Sequence, residues 1–189
     1  RIPLYIAARG PKLLQLAGEI ADGVIIGSLA SKEGLEYAFE NIEIGLETSD
    51  RKLRDIETVF WGYTAISENY SLAQSLVENL VVSSMWSSKG IIDRLGINRD
   101  QWTPIERELK NGFRRGLPAN KVYKSAAKKL SDDIIDSWAL AGPVDKVRDR
   151  IKEIEKKGID QFAMLTMGRN REEKRVMQQQ FSEHIIKKI

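Results

Sequence analysis

Four consecutive residues, Ala8-Arg9-Gly10-Pro11, combine the parts of an anion receptor. Glycine lets backbone approach a ligand closely, proline suits the first position of a helix, and a helix start presents N–H groups with partial positive charge. Arg9 and Lys12 can add a full charge, so a phosphate suits this corner. The same residues also make a plain strand-to-helix turn, and their types alone leave both readings standing. Neither a dinucleotide fingerprint nor a Walker loop is present.

Other chemistry is narrowly bounded. The chain has no cysteine and one histidine, His184, so disulfides are excluded and the several nitrogen or sulfur ligands of a transition-metal site are lacking; no metal is expected. A Ser-His-Asp arrangement is excluded for the same reason, because His184 sits in a helix-like tail. Asp22, Glu57 and Asp160 suit loop and strand-edge positions, so the catalytic residues are unknown and no acid or base is assigned. Between Arg107 and Lys129, eight basic residues face one acid, Glu108. That field attracts polyanions, but no nucleic-acid motif accompanies it, and a solvated surface is the plainer reading.

The elements that must position the corner follow from periodicity. Leu4 to Ala8 is a strand-sized apolar run, and from Pro11 the positions Leu13, Leu16, Ala17 and Ile20 recur at helical spacing. Val24-Ile25-Ile26, closed by Gly27-Ser28, predicts a strand buried on both faces. A helix is predicted over about Lys32 to Glu47, a third strand over Ile56 to Ile66, and a helix over about Ser71 to Ser84. Regularity then weakens between Trp86 and Trp138, where Pro104, Gly112, Gly116 and Pro118 interrupt basic and polar residues. Gly142-Pro143 opens another helix, Gly158 stops it, Ile159 to Thr166 is a fourth strand, and a last helix carries Val176, Phe181, Ile185 and Ile186. Such alternation implies an α/β fold with a parallel sheet. Four strands make half of a closed eight-stranded barrel, and an open doubly wound sheet competes with it.

At 189 residues, 42% hydrophobic and 30% charged with a net charge of +3, the chain is predicted to form one globular domain over 1–189. No apolar stretch reaches the roughly 18 residues that span a bilayer, so no membrane partner is expected, and the lack of cysteine favours a cytoplasmic location. The chain opens on Arg1 rather than Met, and Ile2-Pro3-Leu4 runs straight into a strand, which reads as a fragment or a chain whose beginning is missing.

The stretch "YIAARGPKLLQLAGEIADGVI" resembles the segment that opens the second half of luciferase-like monooxygenases, especially their deazaflavin-dependent methylenetetrahydromethanopterin reductase branch. "LAGPVDKVRDRIKEIEKKGIDQFAML", residues 140 to 165, is similar to the segment leading into that family's last strand. The resemblance implies the C-terminal half, strands five to eight, of a (β/α)8 TIM barrel, with a basic helical insertion at about 87–138 before the last strand. It implies an oxidoreductase that uses coenzyme F-420, with an FMN-dependent monooxygenase as the same-fold alternative and a non-catalytic half-barrel that acts by association as the alternative of another class. The cofactor phosphate would rest on the backbone at Ala7, Ala8, Arg9 and Gly10, with Gly27 and Ser28 facing cofactor or substrate. Many members have Gly where this chain has Arg9. Trp61 and Arg169, near the ends of later strands, are the candidates for substrate binding, with a core aromatic and a solvated arginine as the bland readings. The expected partners are a small-molecule substrate and either further copies of the chain or an N-terminal half-barrel; nucleic acid is not among them.

Overall fold

The computed structural model describes residues 1–188. Its sheet is wholly parallel and built from β1 (Tyr5–Ala8), β2 (Gly23–Gly27), β3 (Glu57–Ile66), β4 (Ala139–Gly142) and β5 (Gln161–Thr166). The helices are α1 (Pro11–Ile20), α2 (Lys32–Thr48), α3 (Tyr70–Ser87), α4 (Arg99–Arg114), α5 (Ala119–Ala127), α6 (Asp132–Trp138), α7 (Val144–Glu155) and α8 (Arg171–His184).

β3 is the hub. Its residues Glu57–Trp61 pair with β2, Tyr63–Ile66 with β4, and Val59–Thr64 with β5. The Ser28 amide donates to the Trp61 carbonyl and the Ser67 amide to the Gly142 carbonyl, whereas Thr58 and Thr64 accept from Asp160 and Met167. Odd-numbered backbone groups of β3 therefore face β2 and β4, and even-numbered ones face β5. So β4 continues the track of β2 beyond its C-terminal end.

Side-chain alternation sorts the two faces. Ala8, Val24, Ile26 and Phe60 are buried, and Phe60 stacks on Phe162 at 5.4 Å, which stacks on Phe181 of α8 at 6.1 Å. The opposite face carries Tyr5, Ala7, Ile25, Trp61 and Leu165, all partly or fully open. The expectation that β2 is buried on both faces is corrected: Val24 and Ile26 are enclosed, but Ile25 and Gly27 border a cleft.

Local chemistry explains most boundaries. Pro11 opens α1, the Ser31 hydroxyl caps α2 by accepting from the Gly34 amide at 2.9 Å, and Asn98 with Gln101 forms a reciprocal capping box at the start of α4. Two expectations are corrected. The strand count is five rather than four, because Ala139–Gly142 pairs with the part of β3 that β2 leaves free. Pro104, read as punctuation, lies inside α4; it is exposed, while Trp102, Ile105 and Leu109 bury the other face of the helix.

Candidate functional site

A cleft of about 640 Å³ opens at the C-terminal ends of β1 and β2, beside Trp61 in the middle of β3. One wall is the corner Ala7-Ala8-Arg9-Gly10 with Leu13; Ile25, Gly27 and Trp61 come from the sheet, and Ser87, Ser88, Gly90 and Ile91 come from the end of α3 and the turn after it. No lining residue is acidic.

Gly10 has φ −77° and ψ 151°, which any residue adopts, and a Cβ built there meets nothing within 4 Å. Neither conformation nor packing asks for glycine at this position. What glycine provides is open space above the start of α1, a helix with no side-chain cap and no acid in its first turn.

Arg9 runs across Gly27, with Cγ, Cδ and Nε 3.6–3.8 Å from where a Cβ of residue 27 would stand. Its Nη2 donates to Ser87 Oγ at 3.3 Å, and its buried Nη1 has no partner among the described residues. Burial pushes the guanidinium below its ordinary value, and Tyr63 opposes that shift. Beside it, Trp61 meets Tyr63 edge-on at 5.2 Å, and the Tyr63 hydroxyl shares a buried 2.9 Å hydrogen bond with Ser84 Oγ, which ties α3 to β3.

Ser28 sits beside the cleft but does not line it. It is fully buried at φ 55°, and its Oγ lacks a hydrogen-bond partner among the described residues. Arg169 is elsewhere: it pairs with Glu173 at 2.6 Å at the start of α8 and lines a separate cleft of about 300 Å³. Ala7, Ala8, Arg9, Gly10, Gly27 and Trp61 meet in one cleft, Ser28 lies next to it in sequence without lining it, and Arg169 lines another cleft. Ser87, Ser88, Gly90 and Ile91 were not singled out by sequence; apart from a short run of small residues, no local signal marks them.

Asp22, Glu57 and Asp160 gather at the opposite end of the strands. Asp22 accepts from the Leu4 amide at 2.7 Å, Glu57 bonds Tyr5 and Gln161, and Asp160 accepts from the Thr58 amide and hydroxyl at 2.8 Å. Of the basic residues in the segment before β4, Lys110 pairs with Glu106 at 2.7 Å, and all eight lie exposed on α4, α5 and their flanks. An aromatic run, Trp86 on Phe113 at 5.7 Å and Phe113 on Tyr123 at 6.0 Å, joins that hairpin to the cleft wall. Among the described residues no group of His, Cys, Asp and Glu could hold a metal ion, and no helix is long and apolar enough to cross a membrane.

Residues 1–161 match the protein family described as luciferase-like monooxygenase. The 5,10-methylenetetrahydromethanopterin reductase of Archaeoglobus fulgidus is 32% identical over 161 residues, which are 85% of this chain and 47% of that protein. The reductase of the same name from Methanopyrus kandleri is 29% identical over 164 residues, 86% of this chain and 44% of that protein. The structure of the coenzyme F-420 dependent tetrahydromethanopterin reductase from Methanopyrus kandleri superposes with a TM-score of 0.76 at 25% identity, over 99% of this chain and 51% of that one. An F-420-dependent secondary alcohol dehydrogenase, at 14% identity and a TM-score of 0.67, shares the fold over 98% of this chain and 48% of its own. The chain spans about half the length of the curated relatives it matches.

Proposed function

This chain belongs to the luciferase-like monooxygenase family, and we propose that it forms the C-terminal half of an oxidoreductase that passes hydride between coenzyme F-420 and an organic substrate, in the manner of methylenetetrahydromethanopterin reductases. In this reading β1, β2, β3 and β5 are strands five to eight of a (β/α)8 barrel, and β4 is an additional short strand at the barrel mouth. The half-length match to the relatives and the partly open face carrying Tyr5, Ala7, Ile25 and Leu165 support it. Further strands, from the same polypeptide or from another copy, would cover that face.

One observation carries the cofactor assignment: the cleft combines open space at Gly10, an enclosed guanidinium nitrogen without a partner among the described residues, and a lining free of acidic residues. These features fit the phosphate of a deazaflavin. Bound there, coenzyme F-420 supplies a two-electron hydride carrier. The chain's own part is to hold and to exclude water. The backbone at Ala7–Gly10 would hold the phosphate at the start of α1, Gly27 gives room to the Arg9 stem beside it, and the Ser28 amide, donating to the Trp61 carbonyl, ties the end of β2 to β3. Leu13, Ile25, Trp61 and Ile91 supply an apolar lining, with Trp61 the candidate wall toward substrate. Arg169, committed to Glu173, has no part in this cleft.

Titration of the full chain with F-420 and, separately, FMN tests the assignment through quenching of tryptophan fluorescence. Saturable F-420 binding with FMN weaker by about tenfold or more is expected. The reverse order assigns an FMN-dependent monooxygenase. Binding of neither overturns the enzyme reading in favour of a half-barrel that acts by association.

A further inference from the structure

A cradle of backbone amides at a helix start needs no side-chain charge, yet this cleft contains one. Other partly buried arginines in the chain are satisfied internally. Arg51 donates to the carbonyls of Gly18 at 2.7 Å and Ala21 at 2.6 Å, and Arg150 donates to that of Ala30 at 2.6 Å. Arg9 has no ion pair among the described residues, one 3.3 Å contact to Ser87 and one enclosed nitrogen with nothing to donate to. The nearby Tyr63 hydroxyl is already engaged with Ser84. A guanidinium cannot shed its proton, so enclosure without an anion is unfavourable until one arrives.

Its position is also fixed. The aliphatic stem lies along Gly27, its Cγ, Cδ and Nε within ordinary contact distance of where a Cβ would stand, and Ser87 at the end of α3 accepts from the tip. The planar head is therefore oriented before any ligand enters, which reduces the ordering cost of binding.

We propose that the Arg9 side chain is a charged ligand of the cofactor phosphate and that Ser87 is the positioning residue that aims it. The proposal rests on the phosphate-bearing cofactor assigned above and goes beyond the backbone cradle. It also makes α3 responsive to the ligand, because the residue that ends the helix touches the residue that receives the charge.

The test compares the full chain with Arg9→Gln, Arg9→Lys and Ser87→Ala, each titrated with F-420 and with the deazaflavin chromophore lacking the phosphate. Arg9→Gln is expected to weaken F-420 binding by about 10- to 100-fold and to leave the phosphate-free chromophore unaffected. Arg9→Lys is expected to recover part of the loss, Ser87→Ala to lose about threefold for F-420 alone, and the salt dependence of F-420 binding to flatten in Arg9→Gln. Equal losses for both ligands, or none, overturn the proposal. Ser87→Ala removes one oxygen at a helix end and serves as the second variant should Arg9→Gln fail to fold. If the unmodified chain binds no F-420, the cofactor assignment falls, and protection against thermal unfolding by inorganic phosphate then decides Arg9. Protection that Arg9→Gln abolishes upholds a phosphate ligand, and absence of protection refutes it.

Discussion

At the scale of single residues, Gly10 separates stability from binding. Its backbone is in the extended region and a Cβ would enter open space, so alanine costs the folded chain nothing locally and restricts the unfolded chain. Gly10→Ala is expected to leave stability unchanged or raise it by up to about 1 kcal/mol in urea denaturation, while F-420 affinity falls about tenfold because the methyl group occupies the phosphate's space. Loss of stability together with affinity would mean that Gly10 is a structural turn glycine. Ser28 is the contrasting case, a non-glycine at φ 55° with a buried hydroxyl. Nothing in the composition of Gly27-Ser28-Leu29 announced that conformation, whereas the Arg-Gly-Pro corner was legible because its chemistry is contained in four adjacent residues. The contact from Arg9 to Ser87 joins residues 78 apart, and no local pattern encodes it.

At the scale of elements, α1 and α2 meet backbone to backbone. A Cβ on Gly45 would stand 1.8 Å from the Gln15 carbonyl oxygen, and one on Gly18 would stand 2.2 Å from that of Ile42, so backbone meets backbone in both directions. Gln15 Nε2 then reaches Asn41 Oδ1 at 3.0 Å, which adds a polar link across the crossing. Gly45→Ala is expected to destabilise the chain by about 1–3 kcal/mol in urea denaturation, since the helices must separate to admit the methyl group. A change under about 0.5 kcal/mol would show that the crossing yields freely. These helices were readable because each carries an apolar stripe at helical spacing, and α1 also has an opening signal at Pro11. β4 was not readable. Ala-Leu-Ala-Gly carries no β-branched residue, and α6 and α7 lie on either side of it; the vacant stretch of β3 makes it a strand. In α4 the reverse holds, as Pro104 signals a break but the Asn98–Gln101 capping box and three buried apolar residues outweigh it.

At the scale of the whole molecule, the parallel sheet has two chemically different ends. The cleft at the C-terminal ends has no acidic lining residue, while Asp22, Glu57 and Asp160 bond strand to strand at the N-terminal ends. The Leu4 amide, against an opposing effect of burial and with help from Arg1 and Arg51, holds the Asp22 carboxyl below its ordinary value. A folded value below the unfolded one contributes stability that is present above about pH 4 and is lost as pH falls through the folded value. Lys146 covers the alkaline side. Burial works against its charge, but hydrogen bonds to Asp136 at 2.7 Å and Tyr70 at 2.7 Å raise it overall, so its contribution persists below about pH 10.4 and disappears only as pH rises through the raised value. Stability is therefore expected to be level from about pH 6 to about pH 9 and to fall below about pH 4. Asp22→Asn is expected to be the less stable protein at neutral pH, with a shallower acid limb that converges on the unmodified chain at low pH. Hydrogen exchange locates the effect. Protection of the Leu4 amide, which donates to Asp22, is expected to fall in that acid range before protection of the Ser28 amide, which donates to the Trp61 carbonyl at 2.7 Å. Simultaneous loss at both amides would show that the two ends open as one cooperative unit rather than from the carboxylate end.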